Sequence, residues 1–275
     1  MLTEATIESW LREDLGHHDV TNDVPGEAAG RLVATEAGVA AGIEAAASVF
    51  ETSGVDAEPL VESGAGVAAG EAVLSVSGPA RGVLRAERVA VNVAGHASGV
   101  ATRTSEAVRL ARAATDDPPT VAATRKTTPG LRGVEKRAVA AGGGDTHRLD
   151  LSHMVMVKDN HIAELGLETA VERFRERSSF ATNVEVEAES PQTAARAADA
   201  GADVVLLDNM SPATMRRAVD RVPEGVLTEA SGGIGLDDIG EYATTGVDVV
   251  SLGALTHSAP ALDYSFRTDG DASPT

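Results

Sequence analysis

Between residues 183 and 253, short β-type runs end in polar residues at a nearly constant interval. The runs 183–187, 204–208, 226–229 and 249–251 have end points 21, 21 and 22 residues apart. Alanine-rich, helix-like segments lie between them, at 191–200, 212–222 and 236–244. Pro191 and Pro212 suit first helical turns, where a backbone N–H has no intrahelical partner to lose. Gly201 and Gly246 suit helix ends. Strand alternating with helix requires parallel βαβ units, and a period near 21 residues suits a (β/α) barrel. Residues 120–124 and 154–158 extend the series to six strands. Six falls short of the usual eight, so an open or incomplete barrel is expected, with its polar strand ends on one rim.

The first hundred residues lack this repeat. Residues 4–15 have the spacing of an amphipathic helix. Residues 31–35, 57–61 and 72–76 read as strands separated by glycine turns, and 63–70 as a turn-rich hairpin. A long helical stretch over 84–113 is expected to break near Gly95 and Gly99. The chain is thus α/β in class. An N-terminal α+β domain is expected over 1–105 and a barrel domain over 106–258, with the tail 259–275 packing on the N-terminal domain. The polar end, 268–275, is expected to fray.

The lysines narrow the chemistry. There are three, Lys126, Lys136 and Lys158, all within one 33-residue stretch. Lysine is a compact point charge that binds phosphate and responds to burial, whereas arginine is a planar fork that stays charged. The same stretch holds Arg125, Arg132, Arg148, His147 and His161, in a chain of net charge −19. A basic island in an acidic protein reads as a pocket for an anion. The overall charge disfavours nucleic acid and anionic membranes, since no basic face exists to replace their counterions. Composition rich in acid and poor in lysine is expected to need salt, because the Debye length falls to about 3 Å at 1 M and mutes carboxylate repulsion. With no cysteine, disulfides and thiolate metal sites are excluded. Neither a signal peptide nor a membrane-length apolar run is visible, so a cytoplasmic location is expected.

Active sites of such barrels lie at the C-terminal ends of the strands. Here those ends carry Arg125, Lys126, Lys158, Glu187, Asp208, Glu229 or Ser231, and Gly253. The cations suit carboxylates or phosphates, and the acids suit Mg²⁺ or hydroxyls. Ser231-Gly-Gly-Ile-Gly235 and Ser251-Leu-Gly-Ala-Leu255 follow the last two strands, where small residues let backbone N–H groups approach a phosphate. Glu185, Glu187 and Glu189 share one face by alternation. They cannot all be buried unpaired, so a cationic or metal partner is expected. Lys136, between Glu135 and Arg137, reads as readily as a solvated charge as a functional one, and His153 reads as structural.

Several motifs together resemble the quinolinate phosphoribosyltransferase family. They are Thr124-Arg-Lys-Thr-Thr-Pro-Gly-Leu-Arg132, Gly142-Gly-Gly144 with His147-Arg148, Lys158-Asp-Asn-His161, Glu185-Val-Glu187, Leu207-Asp-Asn209, Glu229-Ala-Ser-Gly-Gly-Ile234 and Ser251-Leu-Gly-Ala-Leu-Thr-His257. Glu87-Arg-Val-Ala-Val-Asn92 and Ser98-Gly-Val-Ala-Thr102 are similar to the family as well. The resemblance implies transfer of phosphoribosyl from phosphoribosyl pyrophosphate to quinolinate, with decarboxylation to nicotinate mononucleotide on the de novo route to NAD. It implies an N-terminal α/β sandwich, an open α/β barrel, Mg²⁺, and a homodimer with shared active sites. By position, Arg125, His147, Arg148 and Lys158 would hold quinolinate, with Arg88 reaching in from the partner subunit. Lys126, Glu187 and Asp208 would face the ribose, pyrophosphate and Mg²⁺, and would carry the catalysis with Lys158. Ser231, Gly232, Gly233, Gly253 and His257 would bind phosphate. Two alternatives stay open at this point: a transferase acting on another aromatic acid such as nicotinate, and a barrel lyase using Lys158 as a Schiff base.

Overall fold

The computed structural model describes residues 3–268. In chain order the elements are α1 (Glu4–Leu15), β1 (Glu27–Ala34), β2 (Gly38–Val39), α2 (Ile43–Thr52), β3 (Asp56–Pro59), β4 (Gly66–Val67), β5 (Ala72–Pro79) and α3 (Ala80–Ala114). There follow β6 (Thr120–Ala122), α4 (Arg132–Ala141), β7 (Val155–Val157), α5 (Asp159–Leu165), α6 (Leu167–Arg177), β8 (Val184–Ala188), α7 (Pro191–Asp199), β9 (Val204–Asp208) and α8 (Pro212–Val219). The last are β10 (Leu227–Ser231), α9 (Ile239–Ala243), β11 (Val249–Ser251), α10 (Ala254–His257) and β12 (Tyr264–Thr268). No helix among them is long and apolar enough to cross a membrane.

The chain divides into two compact units. The first comprises 1–105, 128–143 and 258–275, and the second 106–127 and 144–257. Residues 128–143 thus group with the first unit, an excursion absent from a single boundary at 105/106. Glu135 on α4 is one link: fully buried, it accepts from His96 Nε2 on α3 at 2.9 Å and from the Thr128 N–H. Lys136 is buried as well, not a solvated surface charge.

The first unit is built on a four-stranded antiparallel sheet in the order β12-β1-β5-β3. The strand β12, close to the C-terminus, therefore joins the N-terminal sheet, with Tyr264 opposite Ala34 and Thr268 opposite Gly30. The expected fraying of the end falls mostly outside the described residues. Helix α2 buries Ile43, Val49 and Phe50 in a core with Leu32, Leu74 and Tyr264, and Phe50 stacks on Phe266. Two expectations are corrected here. The segment around Gly66 is not a local hairpin, because β4 pairs instead with β2. Helix α3 runs unbroken for 35 residues through Gly95 and Gly99. These glycines serve close approach: a Cβ on Gly99 would collide with the Pro260 carbonyl, and one on Gly95 would lie 2.9 Å from that of Leu262.

The second unit carries six parallel strands in the order β6-β11-β10-β9-β8-β7. β6 and β7 are the two edges, so the barrel is open, as the strand count predicts. The strand Val184-Glu-Val-Glu-Ala188 shows how sequence sets its two faces. Val184, Val186 and Ala188 are fully buried in the apolar core of this unit, while Glu185 and Glu187 alternate onto the opposite face. Ser190 and Ser211 cap α7 and α8 through their hydroxyls, each followed by a proline in the first turn. The caps close the short βα loops and fix where each strand ends.

Candidate active site

Parallel register brings the strand ends to a common rim. Glu187 and Glu229 are both level with Leu206, and Asp208 is level with Ser231. These residues face a cavity of about 690 Å³. Every predicted site residue except Arg88 lines it: the cations Arg125, Lys126, His147, Arg148 and Lys158, the acids Glu187 and Asp208, and Ser231, Gly232, Gly233, Gly253 and His257. Arg88 lies on α3 in the first unit, its side chain 62% exposed and near Glu87. Thr124, Met156, Leu206, Asn209, Glu229 and Ser251 also line the cavity but were not among the assigned site residues.

The cations follow from local structure. Lys126 comes just after β6, where its N–H donates to Thr124 Oγ1 and its carbonyl accepts from Thr256 Oγ1 at 2.6 Å. Its stem lies over Gly253, where a Cβ would stand 2.8 Å from Lys126 Cδ and 3.3 Å from His257 Nε2. A side chain on Gly253 would push the Lys126 stem aside. Lys158, at the end of β7, donates from Nζ to Glu187 Oε2 at 2.5 Å. Arg125 and Arg148 each keep a buried Nε with no hydrogen-bond acceptor in the protein. Burial, and then the nearby charge of Arg125, lower the pKa of Arg148. Both guanidinium groups line the cavity, and arginine binds carboxylates through paired N–H groups.

His147 sits at φ +51°, a left-handed conformation uncommon for a residue with a side chain. Its backbone N–H donates to Asp145 Oδ1 at 2.5 Å. Its Nε2 lies 2.9 Å from Glu229 Oε2 and 3.7 Å from Glu185 Oε1. Burial alone would lower its pKa, but the hydrogen bonds and charges of Glu185 and Glu229 outweigh burial and raise it to about 10. Burial, with the like charge of Glu229, pushes Glu185 up to about 7 against the pull of His147. Glu185, Glu187 and Glu189 cannot all be buried unpaired, and a cationic or metal partner is expected; the structure gives cationic partners to the two acids of this face that are not exposed. Glu189 lies beyond β8 and is exposed, Glu187 pairs with Lys158, and Glu185 faces His147. The depth of Glu185 was legible, because it sits two residues before Glu187 on the same face. Its partner was not, because His147 comes from a loop 38 positions earlier in the chain.

The acidic side of the cavity is formed by Glu187 and Asp208. Burial and then the charge of Glu187 raise the pKa of Asp208, against Asn209, Lys158 and Lys126. Asn209 donates from Nδ2 to Asp208 and has φ +54°. Gly232, at φ +102°, leaves room for it: a Cβ there would stand 2.6 Å from Asn209 N and collide with its side-chain oxygen. Two carboxylates that repel each other and offer hard oxygen donors fit a divalent cation such as Mg²⁺. His147, Glu185 and Glu229 also lie within reach of one common point, but there the imidazole already serves as partner to the acids.

Fold and site together define an open α/β barrel enzyme for anionic substrates, with cations and carboxylates lining one cavity. The sequence matches the family profile described as quinolinate phosphoribosyl transferase, C-terminal domain, over residues 100–267, and the corresponding N-terminal domain over 18–98. It is 42% identical over 276 residues to the human nicotinate-nucleotide pyrophosphorylase (carboxylating), covering 96% of this chain and 90% of the relative. It is 44% identical over 274 residues to the probable nicotinate-nucleotide pyrophosphorylase (carboxylating) of Methanothermobacter thermautotrophicus, covering 96% and 98%. The crystal structure of NadC from Streptococcus pyogenes superposes with a TM-score of 0.89 at 38% identity, covering 97% of each chain. The chain belongs to the quinolinate phosphoribosyltransferase family.

Proposed function

We infer that this chain transfers the phosphoribosyl group of phosphoribosyl pyrophosphate to quinolinate, releasing pyrophosphate and CO₂ and yielding nicotinate mononucleotide for NAD synthesis. The observation that carries this reading is the convergence of Arg125, His147, Arg148 and Lys158 on one cavity. That is more cationic capacity than a monocarboxylate such as nicotinate needs, and it suits a flat ring with two adjacent carboxylates. A Schiff-base lyase needs a free amine, whereas Lys158 is engaged by Glu187.

In this reading Arg125, His147, Arg148 and Lys158 hold the two carboxylates. Arg88, exposed on α3, is assigned to the pocket of a second copy in a homodimer. Lys126 faces the pyrophosphate, and Ser231, Gly232, Gly233, Gly253 and His257 receive phosphate. Glu187 and Asp208 face the ribose and are the residues that would hold Mg²⁺, which when bound offsets the charge of the departing pyrophosphate. The ring nitrogen of quinolinate forms the bond to the anomeric carbon while the bond to pyrophosphate breaks, and pyrophosphate takes that electron pair. Positive charge developing on the ribose is met by the two carboxylates, already in place in a partly desolvated site. The ring nitrogen is then cationic. The adjacent carbon–carboxylate bond breaks, CO₂ leaves, and the electrons remaining on carbon are stabilised by that cation until a proton arrives. The protein needs no covalent intermediate for either step.

Mass spectrometry of products from quinolinate or nicotinate, each with phosphoribosyl pyrophosphate and Mg²⁺, tests the substrate assignment. Nicotinate mononucleotide from quinolinate alone is expected. Its formation from nicotinate at a comparable rate would overturn the assignment.

A further inference from the structure

Beneath the cations of the cavity lies a pair of carboxylates that no substrate role uses. Glu185 from β8 is fully buried and Glu229 from β10 is 2% exposed. Neither Glu185 oxygen has a hydrogen bond within the protein, nor does Glu229 Oε1, yet both residues turn a carboxylate oxygen toward His147 Nε2. A buried carboxylate is costly without a cation or hydrogen bonds, and the cation supplied here is an imidazole that itself lines the cavity.

The surroundings of His147 make the need clear. Arg148 adjoins it in the chain, and Arg125 comes near enough to depress Arg148. Asp145 is engaged by the His147 backbone N–H. Three cations crowded at one subsite would repel one another and drive His147 to its neutral form. Glu185 and Glu229 reverse that. Nε2 is directed at Glu229, which leaves Nδ1 as the ring nitrogen to meet an anion. The His147 backbone is left-handed, with φ +51°, a conformation uncommon for a residue with a side chain.

We propose that Glu229, assisted by Glu185, is a positioning residue of the ring-substrate subsite: it fixes the His147 ring through Nε2 and keeps it a doubly protonated cation that presents Nδ1–H to a substrate carboxylate. In this role both glutamates act on the ring substrate through His147, although Glu229 also borders the cavity. The subsite is therefore charged before substrate arrives, with three cations over two carboxylates, and a dianion binds without first having to protonate it. This rests on the reading that His147 contacts the ring substrate.

The test uses the full-length Glu229→Gln variant, which keeps size and a hydrogen-bond acceptor but removes the charge. The KM for quinolinate should rise about tenfold or more near pH 8, the loss expected when a charge-assisted hydrogen bond is weakened. The KM for phosphoribosyl pyrophosphate should stay essentially unchanged, a split that general loosening of the barrel would not produce. Quinolinate KM should be flat with pH in the wild type through the neutral range and should climb with pH in the variant. In ¹⁵N-histidine spectra of the ligand-free wild type, the His147 ring should carry both protons near pH 8. A neutral ring there, or a variant with wild-type quinolinate KM and a flat profile, overturns the proposal. If Glu229→Gln does not fold, Glu185→Gln and the wild-type spectrum decide by the same criteria. Failure of the wild type to turn over quinolinate would instead sink the substrate reading and leave the spectroscopic result to stand alone.

Discussion

Replacing Gly232 by alanine tests whether the turn after β10 is built for close approach. Gly232 has φ +102°, where an L side chain costs about 1–2 kcal/mol. Its Cβ would also stand 2.6 Å from the backbone nitrogen of Asn209. That atom cannot step aside freely, because Asn209 N–H donates to the Ser231 carbonyl at 3.0 Å. Relieving such a contact inside packed structure costs about 1–3 kcal/mol, so the combined loss is about 2–5 kcal/mol. At roughly 2–4 °C per kcal/mol for a domain of this size, Tm should fall by about 4–20 °C. The strain has one direction in which to relax: it separates the ends of β9 and β10, where Asp208 and Ser231 are level. The KM for phosphoribosyl pyrophosphate should therefore rise more than that for quinolinate. Thermal unfolding followed by steady-state kinetics on both substrates reads both effects. A variant with unchanged Tm and unchanged KM values would refute the reasoning, because the turn would then tolerate a side chain that the geometry excludes.

Three further outcomes are expected. His147 has its folded pKa raised from 6.5 to about 10, so its stabilising contribution is full below about 6.5 and is lost as pH rises toward 10; the stability advantage of wild type over His147→Gln, measured by urea unfolding, should shrink across that window, and an advantage constant with pH would contradict the shift. Arg88→Ala should raise the quinolinate KM or abolish turnover with little change in Tm, and equimolar mixing with inactive Lys126→Ala should restore roughly a quarter of wild-type activity to the mixture if sites are shared, because about half of the dimers are hybrids with one intact site of two; no restoration after subunit exchange would count against sharing. With a net charge of −19, Tm should climb between dilute buffer and molar KCl, and a Tm independent of KCl would remove the case for salt dependence.

Much of the barrel could be read from the chain because its signal is local. The spacing of polar strand ends located β8, β9, β10 and β11, and with it the rim that carries Glu187, Asp208 and Ser231. Pro191 and Pro212 marked two helix starts, since a proline ring tolerates few other positions. What escaped was set by distant partners. Gly95 and Gly99 look like helix breakers in sequence, yet they are kept small by the backbone of 260–262, more than 150 residues away. The strand β4 pairs with β2, so its short glycine-rich run gave the appearance of a self-contained hairpin. Glu185 was visible as an inward-facing acid, but its pairing with His147 depends on where a loop without regular structure returns to the barrel. Lys136 stays open in sequence for a related reason: charged neighbours on a helix suggest solvent, and its burial depends on what packs against it.

One cavity takes quinolinate as a dicarboxylate, and in the proposed mechanism one carboxylate leaves only after ribosyl transfer. Release of ¹⁴CO₂ from carboxyl-labelled quinolinate, in molar KCl, measures that coupling directly. The account predicts release that requires phosphoribosyl pyrophosphate and Mg²⁺ together and that matches nicotinate mononucleotide formed mole for mole. Release without phosphoribosyl pyrophosphate, or none from protein shown to be folded, would contradict it.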